Sequence, residues 1–256
     1  MARGTLFLLL ILATNASLVL LYPFSHSRSL LVAFLYALGT SATLYLLFHP
    51  RNQWIVANRS RVDDVDCVAL TFDDGPDPID TPKLLDILRE KGVKATFFVV
   101  GKRAEEHPEI VRRAWEEGHL IANHTWSHPN LFCFLTPQRL RAEIERGTES
   151  IRRSCGFRTR YFRSPVGLRH PLLAPYLKQA QLEFISWRIR SFDTVTTNSS
   201  VLARRILNKV TSGDIILLHD RLPSGTDAML KALPGIIDEI RSRGLGFVLV
   251  GSRDDQ

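Results

Sequence analysis

Residues 65–78 read VDCVALTFDDGPDP, an apolar run that ends in two adjacent carboxylates, Asp73 and Asp74, ahead of a Gly-Pro turn. Adjacent acids repel each other, and neighbouring side chains of a strand point to opposite faces. A solvated turn would account for this composition, since Asp, Gly and Pro are common turn formers. Whether the pair is a turn or a site depends on the pattern that the rest of the chain forms around it.

The chain after residue 65 alternates β-rich runs with helical patterns. Helical patterns begin at Thr81, Pro108 and Thr136, and Asp227 is the expected cap of the last one. Strands separated by helices, with both strand faces apolar, predict a parallel α/β sheet, either a barrel one unit short of eight or an open doubly wound sheet. The predicted strands cover 65–72, 94–101, 119–123, 160–163, 183–187, 214–219 and 246–250.

The first 50 residues differ sharply from the rest, with no Asp, Glu or Lys and only two arginines, Arg3 and Arg28. Two apolar stretches, about 6–24 and 29–48, are each long enough to cross a bilayer as a helix. We predict a membrane anchor of two transmembrane helices over 1–50, followed by a linker over 51–64. A cleaved signal peptide is the alternative for the first stretch, and a buried soluble helix pair is the other alternative.

Charge and cysteine content exclude some functions. The formal net charge of +7 comes from basic residues interspersed with acids, which gives little support to a nucleic-acid role. Cys67, Cys133 and Cys155 have no metal-type spacing, so free packed thiols are expected.

The positive-inside rule favours a cytoplasmic position for the region after a helical hairpin, whereas a single retained span would place it outside.

Titratable residues gather where the predicted strands end. Asp73 and Asp74 follow the first strand, and His124 and His128 follow the third. The later strands end in or precede three further polar residues: Arg163, Asp193 and His219. Parallel α/β proteins keep their active sites at this edge, so the adjacent acids are predicted to belong to a site.

The segment HTWSH places His124 and His128 four residues apart, a spacing that would bring two imidazoles together on one helical turn. A carboxylate from the first strand would complete a two-His, one-carboxylate metal set with positions open for water and substrate. Only one of the two aspartates need bind the metal, which leaves the other as a base. Iron and zinc both suit such ligands, and zinc is favoured where the chemistry has no redox step.

Five segments together resemble the ordered motifs of the polysaccharide deacetylase family, the NodB-homology or carbohydrate esterase family 4 group. They are TFDDGP (71–76), HTWSH (124–128), RSPVG (163–167), SFDT (191–194) and LLHD (217–220). The resemblance spans about residues 65–250 and implies a distorted (β/α)7-type barrel over 65–256. It also implies a metal-dependent hydrolase that removes an acyl group from an N-acylated sugar, acting on a carbon–nitrogen bond that is not a peptide bond.

The resemblance assigns roles residue by residue. It makes Asp73 the general base and His219 the general acid, with Arg163 orienting Asp73 and Asp193 supporting His219. The implied metal ligands are Asp74, His124 and His128, and the candidate substrate-binding residues are Pro165, Gly167, Trp187 and Leu217. Structural roles remain open for Arg163 and Asp193, and packing remains open for Trp187. A backbone N–H near Thr125 or Gly75 is expected to help stabilise the oxyanion.

Two departures from the family pattern leave the substrate open. Val166 stands where the family carries an aromatic residue, and Thr194 stands where it usually carries Trp. The leading hypothesis is a membrane-anchored deacetylase acting outside the cell membrane on N-acetylated envelope polysaccharide such as peptidoglycan. A deformylase or deacetylase of a lipid-linked sugar at the membrane surface is the enzymatic alternative. A catalytically silent carbohydrate-binding protein is the alternative of a different class, although a binder has no need for both a base and an acid.

Overall fold

The computed structural model describes residue 13 and residues 29–49, 52–64, 66–221 and 227–253. The strands are β1 Cys67–Asp73, β2 Thr96–Val99, β3 Leu120–Asn123, β4 Tyr161–Phe162, β5 Glu183–Phe184, β6 Ile189–Arg190, β7 Ile215–His219 and β8 Gly246–Phe247. The helices are α1 Ser29–Phe48, α2 Asp80–Glu90, α3 Gly101–Glu106, α4 Pro108–Glu116, α5 Pro137–Cys155, α6 Leu173–Ala180, α7 Ser199–Leu207 and α8 Ala228–Ser242. Single 3₁₀ turns cover Phe132–Phe134 and Pro165–Gly167.

The strands form one curved, parallel sheet in the order β5-β4-β3-β2-β1-β7-β6, with β8 paired to the first residues of β1. Each strand-to-strand pairing is parallel. In the part of the chain that the structure describes, β5 and β6 are the free ends of the order and do not pair with each other. The predicted parallel α/β architecture is confirmed, as an open half-barrel rather than a closed barrel.

The predicted strands are present but shorter, and one strand was missed. β6 has only two residues, too few to show any periodicity in the sequence. The short helices α3, α6 and α7 were also not predicted. Asp227 precedes α8 as expected, but its side chain makes no capping hydrogen bond and instead pairs with Lys231 at 2.7 Å.

β1 carries the centre of the core and points its last residue into the half-barrel. Val68, Leu70 and Phe72 belong to the same buried cluster as the apolar residues of α2 and α8. Thr71 and Asp73 alternate with them and therefore face the opposite side of the strand, where both are buried. This interior row ends in a carboxylate at the edge where the parallel strands finish.

The N-terminal region is only partly described. The predicted span over 29–48 coincides with the helix α1, while the predicted span over 6–24, apart from residue 13, lies outside the described residues. No helix among the described residues combines the length and the apolarity needed to cross a membrane. The assignment of α1 as a transmembrane helix is therefore not supported. Leu46 and Leu47 bury the end of α1 against the domain, whereas Leu31 and Phe34 are about two-thirds exposed, at 63% and 64%.

α5 passes unusually close to the end of β3, at Gly147. A Cβ atom at this position would lie 2.5 Å from Asn123 Oδ1 and 2.9 Å from the carbonyl carbon of Thr125. Both distances are well inside van der Waals contact. Glycine at 147 is thus required for the helix to approach the segment that follows β3.

We expect Gly147→Ala to lower the free energy of unfolding by about 1–3 kcal/mol, because the added methyl group overpacks this contact. The control is Gly235→Ala in α8, where no described atom lies within 4 Å of the added Cβ. That change should be neutral or stabilising by about 0.5–1 kcal/mol, because alanine favours a helix over glycine. Urea denaturation of both variants is the measurement, and equal stability of the two would contradict the close approach.

Candidate active site

Asp73 is held by a buried arginine. Arg163 Nη1 donates to Asp73 Oδ1 at 2.6 Å and to Thr71 Oγ1 at 2.8 Å, so one nitrogen bridges two interior residues of β1. Asp73 is 4% exposed and Arg163 is fully buried. A charge-assisted bond of this kind fixes the carboxylate and balances its charge in a site shielded from water.

The other donors of Arg163 are also engaged. Its Nε and Nη2 donate to the carbonyl oxygens of Ile185 and Ser186, at 3.3 and 3.0 Å. The guanidinium carbon lies 3.9 Å from the centre of the Phe98 ring, a cation–π contact. Arg163 therefore has a single defined position, and the expectation that it orients Asp73 agrees with this geometry.

Asp74, His124 and His128 form one cluster of possible metal ligands, their nearest ligand atoms all within 4.8 Å of one another. Asp74 Oδ1 lies 3.5 Å from His124 Nε2 and 3.0 Å from His128 Nε2. Asp74 follows β1 with a φ of 79°, which turns its carboxylate away from the strand direction. Burial alone would raise the pKa of Asp74, but the hydrogen bonds and charges of the two histidines in their protonated forms hold it well below its ordinary range.

The orientation of His124 suits a metal ligand. Its Nδ1 lies 2.8 Å from the carbonyl oxygen of Arg163, which can only accept a hydrogen bond. In the neutral imidazole, the form that binds a metal, Nδ1 therefore carries the proton and the lone pair of Nε2 faces Asp74. Metal-binding histidines are commonly fixed in this way by a carbonyl on their second nitrogen. Two imidazole nitrogens and one carboxylate, arranged like this, fit a divalent cation such as zinc.

The two histidines do not lie on a helical turn, which corrects the prediction from their spacing. Residues 124–128 form a loop after β3, and Thr125 and His128 have positive φ values of 67° and 54°. The imidazole rings nevertheless approach each other, with their centres 5.0 Å apart. The loop achieves through irregular backbone what a helix would achieve through its periodicity.

His219 forms a tight pair with Asp193. His219 Nδ1 and its backbone N–H both contact the carboxylate of Asp193, at 2.7 Å each, and Ser191 Oγ donates to the same group at 2.8 Å. Burial would lower the pKa of His219, but the hydrogen bond and charge of Asp193 outweigh it and raise the pKa to about 9. His219 is thus protonated at neutral pH, as a general acid must be.

The expected acid and base lie side by side at the ends of neighbouring strands. In the parallel pairing of β1 with β7, Asp73 and His219 are directly registered. Asp220, the next residue, donates its backbone N–H to the Asp73 carbonyl oxygen at 3.1 Å. The two titratable groups are therefore placed by the strand register itself.

Neither expected oxyanion donor is free. The Thr125 N–H donates to Asn123 Oδ1 at 2.7 Å, and the Gly75 N–H donates to the carboxyl group of Asp220. Asp220 is 1% exposed, and burial raises its pKa to about 7. The Thr81 hydroxyl donates to the same carboxyl group at 2.9 Å.

The four candidate substrate-binding residues lie near the site but are buried: Pro165, Gly167, Trp187 and Leu217. Trp187 is 5% exposed, and its ring fills the space in which a Gly167 side chain would lie. This agrees with the packing role left open for Trp187, and sugar contact by these four residues stays a prediction. The exposed member of the RSPVG turn is Val166, with a φ of 58°.

Three buried polar residues around the site were missed from the sequence: Asn123, Glu143 and Asp220. Asp220 ends the LLHD segment, and the family resemblance assigns it no role. A signal for Glu143 was available, because it lies next to Ile144 and one turn from Leu140 on the buried side of α5. A charged residue on the apolar side of a helix needs a partner.

Comparisons with known proteins identify the family of the chain. A family model described as Polysaccharide deacetylase matches residues 60–185. The peptidoglycan-N-acetylglucosamine deacetylase of Bacillus cereus is 36% identical over 188 residues, covering 72% of this chain and 67% of the relative. The chitooligosaccharide deacetylase of Sinorhizobium fredii is 34% identical over 187 residues, covering 69% of this chain and 86% of the relative.

A solved structure shares the fold. The crystal structure of the Bc1960 peptidoglycan N-acetylglucosamine deacetylase in complex with 4-naphthalen-1-yl-N-oxidanyl-benzamide matches with a TM-score of 0.69 and 35% identity. The match covers 75% of this chain and 89% of that one. Sequence motifs, site geometry and relatives agree, and the chain belongs to the polysaccharide deacetylase family.

Proposed function

We propose that the protein is a metal-dependent hydrolase that removes N-acetyl groups from the amino sugars of a cell-envelope polysaccharide such as peptidoglycan. The observation that carries this proposal is that a carboxylate base and a protonated imidazole end neighbouring strands beside one ligand cluster. Asp73 and His219 are registered partners on β1 and β7, and Asp74, which follows Asp73, contacts both histidines. The names of the relatives support the substrate class.

We propose zinc as the ion held by Asp74, His124 and His128. A divalent cation in this position supplies Lewis acidity, which polarises the amide carbonyl and lowers the pKa of water. Asp73 then takes the proton from water during the attack, because Arg163 holds its carboxylate beside the cluster, with Oδ2 3.8 Å from His124 Nε2. His219 donates its proton to the leaving amine, which must depart protonated.

The test is release of acetate by the purified full-length protein with added zinc. The substrates are N-acetylated peptidoglycan glycan strands, N-acetylated chitooligosaccharides and a lipid-linked N-formyl or N-acetyl amino sugar. Acetate from the glycan strands supports the proposal. Formate or acetate from the lipid-linked sugar alone would support the second enzymatic candidate. Glycan binding without any released acyl group would identify a silent carbohydrate-binding protein.

The pH profile should depend on Asp193. Activity needs protonated His219, so kcat/KM should fall as the pH rises through the His219 pKa of about 9. Asp193→Asn removes the charge that raises this pKa, and the alkaline limb should move down toward the ordinary histidine value of about 6.5. Measuring kcat/KM against pH for both proteins gives the shift directly.

The control for that experiment is Asp238→Asn, an exposed aspartate that pairs with Lys91 on the surface. Its alkaline limb should coincide with that of the wild type. An unmoved limb in Asp193→Asn would assign the high-pH decline to another group and leave Asp193 with a structural role only.

We further propose that residues 1–50 attach the catalytic domain to the outer side of a cell membrane, with 51–64 as the linker. The support is the apolar surface of α1, where Leu31, Phe34 and Leu38 are each more than half exposed without a charged neighbour in the helix. Co-sedimentation of the full-length chain with anionic lipid vesicles is the test. Replacing these three residues with serine should release the protein into the supernatant, and unchanged sedimentation would contradict the proposal.

A further inference from the structure

We infer that Glu143 is a positioning residue that fixes the loop carrying both metal-binding histidines and thereby sets the affinity of the site for its metal. The inference rests on the metal site proposed above and goes beyond it by naming a residue outside the ligand set and outside all five motifs. The loop, residues 124–128, is here called the histidine loop.

The histidine loop has no regular secondary structure, yet each backbone N–H of residues 125–128 donates to a side-chain oxygen. Asn123 Oδ1 accepts from Thr125, and Thr125 Oγ1 accepts from His128, at 2.7 and 3.1 Å. The two N–H groups between them, of Trp126 and Ser127, both donate to Glu143 Oε2, at 3.1 and 2.8 Å. Glu143 therefore provides the acceptors at the centre of the loop.

The second carboxylate oxygen of Glu143 is used as well. The Ser127 hydroxyl donates to Oε1 at 2.6 Å, so three donors converge on one carboxylate that is 6% exposed. No ion pair with Glu143 occurs among the described residues, and the loop is thus the principal partner of this charge. A buried carboxylate is stable only when its lone pairs are satisfied. A neutral amide in its place would keep only one acceptor oxygen and would lose the charge that strengthens these three hydrogen bonds.

Independent contacts place the same loop between two helices. The N–H groups of Gly101 and Lys102, at the start of α3, donate to the carbonyl oxygens of Thr125 and Trp126, at 2.9 and 2.8 Å. On the other side, Gly147 lies one turn after Glu143 on α5 and permits the close approach that the carboxylate needs. The loop is therefore held through its backbone N–H groups on one side and through its carbonyl oxygens on the other.

The geometry links this arrangement to metal affinity. His124 and His128 are the two ends of the loop, so the relative position of their Nε2 atoms depends on the backbone between them. If that backbone can relax, the histidines must be reordered each time the metal binds. Loss of a group that orients metal ligands typically weakens metal binding about 10–100-fold.

The experiment compares zinc dissociation constants of the full-length wild type and Glu143→Gln, measured by competition with a chromophoric chelator. We expect about a 10–100-fold weaker affinity in Glu143→Gln at a temperature where circular dichroism shows both proteins folded. Activity should return at saturating zinc, because Glu143 does not touch the reacting atoms. The matched control is Glu145→Gln, an exposed residue on the same helix that pairs with Arg141 and should bind zinc like the wild type.

A purely structural role for Glu143 would lower thermal stability and leave the zinc affinity of the folded protein within twofold of the wild type, and that result would overturn the inference. If Glu143→Gln does not fold, Ser127→Ala removes one of the three hydrogen bonds and should give a smaller loss of affinity in the same direction. No loss in that variant would also overturn the inference. Failure of the wild type to bind zinc would instead overturn the metal site itself.

Discussion

His124→Ala and His128→Ala should each abolish both metal retention and turnover. Each change removes one of three protein ligands, and the remaining two cannot hold the ion with the geometry of a complete site. Both imidazoles face the same carboxylate oxygen, Asp74 Oδ1, so neither is a peripheral member of the cluster. Zinc content after gel filtration, together with acetate release, is the measurement.

His107→Ala is the matched control, because His107 lies between α3 and α4, outside the ligand cluster, and contacts Glu109 at 3.8 Å. It should retain one zinc ion per chain and full activity. A His124 or His128 variant that keeps stoichiometric zinc would remove that histidine from the ligand set. Retained zinc with lost turnover would assign the residue to substrate or proton transfer instead.

Replacing each of the two neighbouring aspartates with asparagine should have different effects on metal binding and turnover. Asp73→Asn should keep its metal and lose about 10²–10⁴-fold in kcat, because a positioned general base typically contributes that much. Asp74→Asn should lose metal affinity, since a neutral amide is a poorer ligand than a carboxylate. The structure gives the reason for the difference: Asp73 pairs with Arg163, and Asp74 contacts the histidines.

Zinc content measured beside kcat separates these roles. Loss of metal from Asp73→Asn with retention by Asp74→Asn would exchange the two assignments. If both variants keep metal and activity, the adjacent acids form only a turn. The KM of Asp73→Asn should stay near that of the wild type, because the base acts in the transition state rather than in substrate binding.

Features that follow from local pattern could be predicted from the sequence. The alternation of strands and helices was recognisable, and α1 lies within the second long apolar run, as expected. The titratable residues at the carboxyl ends of the strands could also be assigned to one site, since parallel strands end at the same edge of the sheet. Neither strand β6 nor the open form of the half-barrel could be predicted, because a strand of two residues shows no periodicity in the sequence.

Contacts between distant parts of the chain could not be predicted from residue spacing alone. Arg163 and Asp73 are 90 residues apart, and their pairing was expected only from resemblance to a family. The helical spacing of the two histidines was misleading, because Thr125 and His128 adopt positive φ values that no pattern in HTWSH indicates. The role of Glu143 likewise depends on how closely α5 approaches the histidine loop, and a single glycine permits that approach.

The hydrogen bonding of residues 125–128 also has a consequence for amide exchange with solvent. Loops normally exchange their amide hydrogens quickly, because their N–H groups are open to water. Here each of the four N–H groups is already bonded to a side-chain acceptor, and two of them share one buried carboxylate on α5. Exchange at Trp126 and Ser127 must therefore wait for a local opening that separates the loop from α5. The centre of a segment without regular secondary structure thus acquires the slow amide exchange that is typical of a strand.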